Sequence, residues 1–183
     1  MIKNNISRFL TISFSTIMIF ALIGFLIRKQ YDFILNWIPI YSNYLLFIYL
    51  ENKKKIIIKN YIKVLVTITA ILHILFGQYF NLYQSNNWFD KGLHVFGTFS
   101  FTLFCYSLLN LSIEFFSKSK IFNFILLLSI GTTIGVFLEN LEFILDIICK
   151  TKNQHSLLDT NLDLIFNIFG AALAGILCTF REI

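Results

Sequence analysis

WFDKGLHVFG, Trp88 to Gly97, is the stretch from which the fold can be read. Asp90 and His94 stand four residues apart where a polar loop, QSNNW, gives way to an apolar run reaching Ile113. Two other places have this character: ENLEFILD, Glu139 to Asp146, and LDTNLDLIFNIFGA, Leu158 to Ala171. The three together hold six of the ten carboxylates, each bordering a segment greasy enough to lie in a bilayer. Ionisable groups at such positions are costly, so the rest of the chain is expected to bring them together.

Working outward, 57% of the 183 residues are hydrophobic, 14% are charged, and there is one proline. A soluble domain needs more surface charge. The apolar residues also come in long runs instead of one-sided stripes. The expected fold is all-α, a polytopic transmembrane bundle of about six spans in a single membrane domain over residues 1–183. The spans fall at about 9–27, 33–50, 61–83, 92–113, 121–148 and 161–180. The first is read as a retained span, because no small-x-small cleavage pattern precedes Arg28 and Lys29. The second contains Pro39 and is expected to be kinked or short.

The net charge is +5, but the lysines flank apolar runs, so membrane topology explains them and nucleic acid is not an expected partner. With six spans, the side holding the N-terminus carries ten basic residues, among them Lys53, Lys54, Lys55, Lys59, Lys63, Lys118, Lys120 and Arg181. The other side carries five: Arg28, Lys29, Lys91, Lys150 and Lys152. The positive-inside rule then places both termini in the cytoplasm. Cys105, Cys149 and Cys178 form no CxxC pair and read as small apolar residues or a helix-end thiol.

On this topology four helices deliver polar groups to the extracytoplasmic leaflet: His73, Tyr79 and Tyr83; Asp90 and His94; Glu139, Glu142 and Asp146; Asp159, Asp163 and Asn167. Spacings of three and four put each of the last three sets on one helix face. Gly131 and Gly135 fit the GxxxG spacing of close helix packing. Two chemistries suit the set. Glu139, Glu142, His94 and Asp163 could hold a divalent metal ion. Alternatively His94 could serve as general base or nucleophile, oriented by Asp90, Asp163 or Glu139. His73, Tyr79, Asp159 and Asn167 would complete the polar pocket.

These elements, LHILFGQY, WFDKGLHVFG, ENLEF and LDTNLDL…NIFGA, resemble in order and spacing the YjdF-like family of small bacterial inner-membrane proteins. That family shows a His-containing segment, then D-[RK]-x-x-H-x-x-G, E-x-x-E, and D-x-x-x-D followed by G-A. The matching positions are His73; Asp90, Lys91, His94 and Gly97; Glu139 and Glu142; Asp159, Asp163, Gly170 and Ala171. The likeness covers residues 72–175 and departs at Phe143, where the family has Trp, and in the loop around His155. More distantly, Asp90, Lys91, His94, Asp163, Asn167, Gly170 and Ala171 look like the motifs of VanZ-like membrane proteins. The first resemblance implies an inner-membrane protein with a polar site. The second implies action on lipid head groups or envelope precursors. Three functions follow: an enzyme on a lipid-linked or phosphate-bearing substrate, a cation- or proton-coupled transporter, or a structural protein whose acids staple helices through a cation.

Overall fold

The computed structural model describes residues 2–54, 58–113, 119–151 and 153–180. Lys55, Lys118, Lys152 and Arg181, part of the charge count above, lie outside the described residues. Every regular element among the described residues is helical: α1 (Ile2–Ile27), α2 (Tyr31–Lys54), α3 (Asn60–Ile71), a π-helix (Leu72–Tyr79), α4 (Leu82–Ser85), α5 (Asn87–Ile113), α6 (Lys120–Cys149) and α7 (Leu157–Phe180). Six helical stretches are long and apolar enough to cross a membrane, with the π-helix continuing α3.

The spans are longer than the hydropathy runs because their ends are amphiphilic. α5 begins at Asn87 and not near Gly92, so Asp90 lies within helix. α7 begins at Leu157, after Ser156 accepts the Asp159 amide at 3.1 Å and caps the first turn. Span three is shorter than expected. It stops at Tyr79, and Asn81, in the left-handed region at φ 62°, turns the chain into α4, which holds Tyr83. Pro39 does not shorten span two: α2 runs unbroken through it, and the Asn43 side-chain amide donates to the Pro39 carbonyl at 2.8 Å.

The chain divides into two compact units, Met1–Phe89 and Asp90–Ile183. In the first, α1 is central. Phe14, Met18, Ala21 and Phe25 line its buried face and meet Ile74 of the π-helix. The Trp37 indole of α2 donates to the Met18 carbonyl at 2.9 Å. Lys29 adopts φ 57°, and Gln30 N donates to Phe25 O at 2.9 Å, so only residues 28–30 connect α1 to α2. Where the N-terminal part of α1 meets α2 and α3, the Lys63 ammonium donates to Glu51 Oε1 at 2.6 Å, and Ser7 lies within 3.5 Å of both side chains. Lys63 was counted above as a free topogenic charge. It is instead buried and ion-paired, because its stem lies on the inward face of α3.

In the second unit α6 packs along α7. A Cβ at Gly131 would collide with Ala171 and Thr102, and one at Gly135 with the Asn167 side chain. The two glycines therefore set how closely α6 approaches α7. Similarly, a Cβ at Gly170 would strike the Val95 carbonyl, which fixes α7 against α5.

Candidate functional site

The N-terminal turns of α5 and α7 and the C-terminal half of α6 gather at one end of the second unit. Lys91 is at the centre of the polar groups. Its ammonium donates to Asp159 Oδ1 at 2.5 Å, Asp163 Oδ1 at 2.6 Å and Asp90 Oδ2 at 3.1 Å. It thus ties α5 to α7 through the two carboxylates of α7 while only 7% exposed. Sequence reasoning assigned this lysine to the membrane surface. A lysine beside a helix start normally serves there. The available signal was positional: Lys91, His94 and Thr98 recur at three and four residues on the face that meets α7.

His94 sits beside this ion cluster. Its Nε2 is 3.5 Å from Asp90 Oδ1 and 3.5 Å from Asp163 Oδ1. Its Nδ1 is 3.2 Å from Asn167 Oδ1, which also accepts from the Thr98 hydroxyl at 2.5 Å, and 3.8 Å from Glu139 Oε1. Oxygen acceptors therefore face both ring nitrogens. Asp90, His94 and Asp163 each offer a metal-ligating atom, and these atoms lie within 4.8 Å of one another.

Glu139 is 4% exposed, and neither carboxylate oxygen has a hydrogen-bond partner among the described residues. Gln154 donates instead to the Glu139 backbone carbonyl at 3.1 Å. A buried carboxylate without hydrogen bonds loses solvation that nothing nearby returns. Glu142 is half-buried and within electrostatic reach of Glu139, His94, Asp90 and Asp163, but makes no hydrogen bond or ion pair among the described residues. Asp159 meets Lys91, with His155 Nδ1 3.6 Å from its other oxygen.

Asp146 shares the α6 face of Glu139 and Glu142 in sequence but serves another purpose. Its carboxylate accepts from Thr151 Oγ1 at 2.6 Å, Asn153 N at 2.8 Å and Gln154 N at 2.9 Å. It therefore organises the connection from α6 to α7, where Lys150 takes the left-handed conformation at φ 55°.

His73 and Tyr79 belong to the first unit. His73 Nδ1 contacts the Tyr83 hydroxyl at 2.5 Å, and its Nε2 lies 3.2 Å from the buried Gln78 side-chain nitrogen. The Tyr79 ring packs against Gly24 and Phe25 and lies 4.1 Å from the Arg28 guanidinium, which also donates to the Tyr79 carbonyl at 2.8 Å. Those contacts use the ring for packing.

Over residues 8–182 the chain matches the family described as "Predicted membrane protein (DUF2238)". The chain belongs to this family. Its membership and its six long apolar helices make it a multi-pass membrane protein embedded in a lipid bilayer. An "Uncharacterized protein" of Thermotoga maritima is 35% identical over 112 residues, covering 59% of this chain and 56% of that relative. The match thus spans little more than half the length of that relative. No solved structure matches.

Proposed function

We propose that this DUF2238 protein is an enzyme of the bacterial cytoplasmic membrane that acts on a lipid-linked or phosphate-bearing envelope substrate. The observation supporting this is His94, held among Asp90, Asp163 and Glu139 at one end of the helices. The side chains of Asp90 and Asp159 are 27% and 26% exposed, so the cluster has an open side, whereas Asp163 and Glu139 form a buried floor. In this reading His94 is the general base or nucleophile. Asp90 and Asp163 orient its ring, and Asn167, which accepts from the Thr98 hydroxyl, faces the opposite nitrogen.

The likeness to the YjdF-like family supports the bacterial inner membrane, and that to VanZ-like proteins supports the substrate class. We take the six spans as one integral membrane domain with both termini cytoplasmic. Removing the ion-paired Lys63 and Lys91 from the basic residues takes one from each side, so the excess on the N-terminal side persists. The site end then faces the extracytoplasmic leaflet. Comparing the lipids of a deletion strain with those of one producing His94→Ala at wild-type level tests the reading. Equal accumulation of an envelope lipid in both is expected. Full complementation by His94→Ala would remove the enzymatic assignment.

A structural reading is favoured by one specific observation, the bridge from Lys91 to carboxylates of both α5 and α7. It accounts for Asp90, Asp159 and Asp163 but leaves the buried Glu139 carboxylate without a purpose.

A further inference from the structure

Glu139 and Lys91 pose one electrostatic problem between them. Four carboxylates, those of Asp90, Asp159, Asp163 and Glu139, meet around Lys91 and His94. Lys91 reaches the first three and not Glu139. Glu139 is therefore a buried acid facing the cluster, with the His94 ring 3.8 Å away and no hydrogen bond to either oxygen among the described residues. Carboxylates in such surroundings are ordinarily paired or coordinate a metal.

The donor atoms for a metal are at hand. Asp90 Oδ1 and Asp163 Oδ1 both face His94 Nε2 at 3.5 Å, and one atom from each residue falls within a 4.8 Å group. Two carboxylates and an imidazole form a donor set for Mn²⁺ or Zn²⁺, and modest side-chain movement would close it on a single ion. Asp163 Oδ1 is also the oxygen that accepts from Lys91 at 2.6 Å. An ammonium and a divalent ion on one oxygen repel each other strongly at low dielectric. Asp159 lies outside the donor group yet already holds Lys91 at 2.5 Å, and its side chain is partly exposed. It can keep the ammonium when Asp163 is taken.

We propose that Asp90, His94 and Asp163, backed by Glu139, bind one divalent cation, and that Lys91 holds Asp163 in the ion's absence and is displaced toward Asp159 when it binds. The proposal rests on the site of the enzymatic reading, but its consequence is binding and not turnover. It includes Asp90, which the sequence spacing had assigned to orienting His94, and leaves Glu142 outside the donor set.

The test uses the full chain in lipid nanodiscs, stripped with a chelator and titrated with Mn²⁺ alone, followed by loss of the free-ion EPR signal. One saturable ion per chain is expected. Asp163→Asn should abolish binding, and Glu139→Gln should weaken it by about tenfold, as loss of a supporting carboxylate does. Lys91→Met should bind Mn²⁺ more tightly than the wild type, and its melting temperature should rise more steeply with added Mn²⁺. Absence of saturable binding to the wild type, or equal binding to Asp163→Asn, would overturn the site. Lys91→Met binding no tighter than the wild type would overturn the exchange. If the wild type binds no ion while cells producing His94→Ala still accumulate an envelope lipid, this proposal falls and the enzymatic reading stands.

Discussion

Two residues, Lys91 and Glu139, give the site end of the molecule its energetics, with opposite signs. Lys91, itself buried, is the shared counter-charge of three carboxylates, of which Asp163 is buried as well. Replacing it with Met leaves them uncompensated, and breaking a buried pair in this way costs about 3–5 kcal/mol. The chelated Lys91→Met protein should melt well below the wild type, as measured by thermal unfolding in detergent. Among the described residues Glu139 gains no carboxylate hydrogen bond for its desolvation. Glu139→Leu in chelated protein should therefore be neutral or stabilising by about 1 kcal/mol, while the cellular phenotype is lost. A lower melting temperature would mark Glu139 as structural. The stripes Asp90 and His94, and Asp159, Asp163 and Asn167, were legible from spacing alone, since residues four apart in a helix must share a face. Lys91 was not legible, because a lysine at a helix start looks the same whether it points to water or inward. Nor was the role of Asp146, whose partners Thr151, Asn153 and Gln154 lie beyond the end of α6.

At the level of helices, the pairing of α6 with α7 depends on two missing side chains. Gly131 and Gly135 admit Ala171 and Asn167 against the α6 backbone. Gly131→Val would force its methyls onto the Ala171 backbone, which cannot swing away as a flexible side chain would. A loss of about 1–3 kcal/mol is expected in unfolding measurements, along with a disturbed His94 site, because Asn167 lies on the same α7 face. Asp146→Ala should act elsewhere. It frees three donors of the connection between α6 and α7, so faster amide exchange at Asn153 and Gln154 is the expected readout, with the helices intact. The GxxxG spacing announced the close packing of α6, and hydropathy located all six spans. Their ends were less legible. Hydropathy falls off where Asn87, Asp159 or Lys54 enters the helix, although the backbone continues its hydrogen bonds past them. The wide turns of Leu72–Tyr79 had no signal in residue type.

Among the described residues, buried lysines are ion-paired in both units: Lys63 with Glu51 in the first and Lys91 within the His94 cluster in the second. The proposed topology can be tested through the cysteines. Cys149 is exposed at the end of α6, whereas Cys178 is buried and Cys105 half-buried. In a Cys105→Ser, Cys178→Ser background, a membrane-impermeant maleimide applied to spheroplasts should label Cys149. Labelling only after the membrane is opened would invert the orientation and move the site to the cytoplasmic face. The turn at Lys29 bears on how the chain reaches that arrangement. With α1 ending at Ile27 and α2 starting at Tyr31, the two spans are joined too closely to enter a bilayer far apart. They amount to a prefabricated hairpin, whose partner faces, Met18 with Trp37 and Phe25 with Phe33, can meet while the ribosome is still synthesising the His94 segment. During biogenesis this hairpin would then be waiting when α3 and the π-helix, whose Ile74 completes its buried face, emerge.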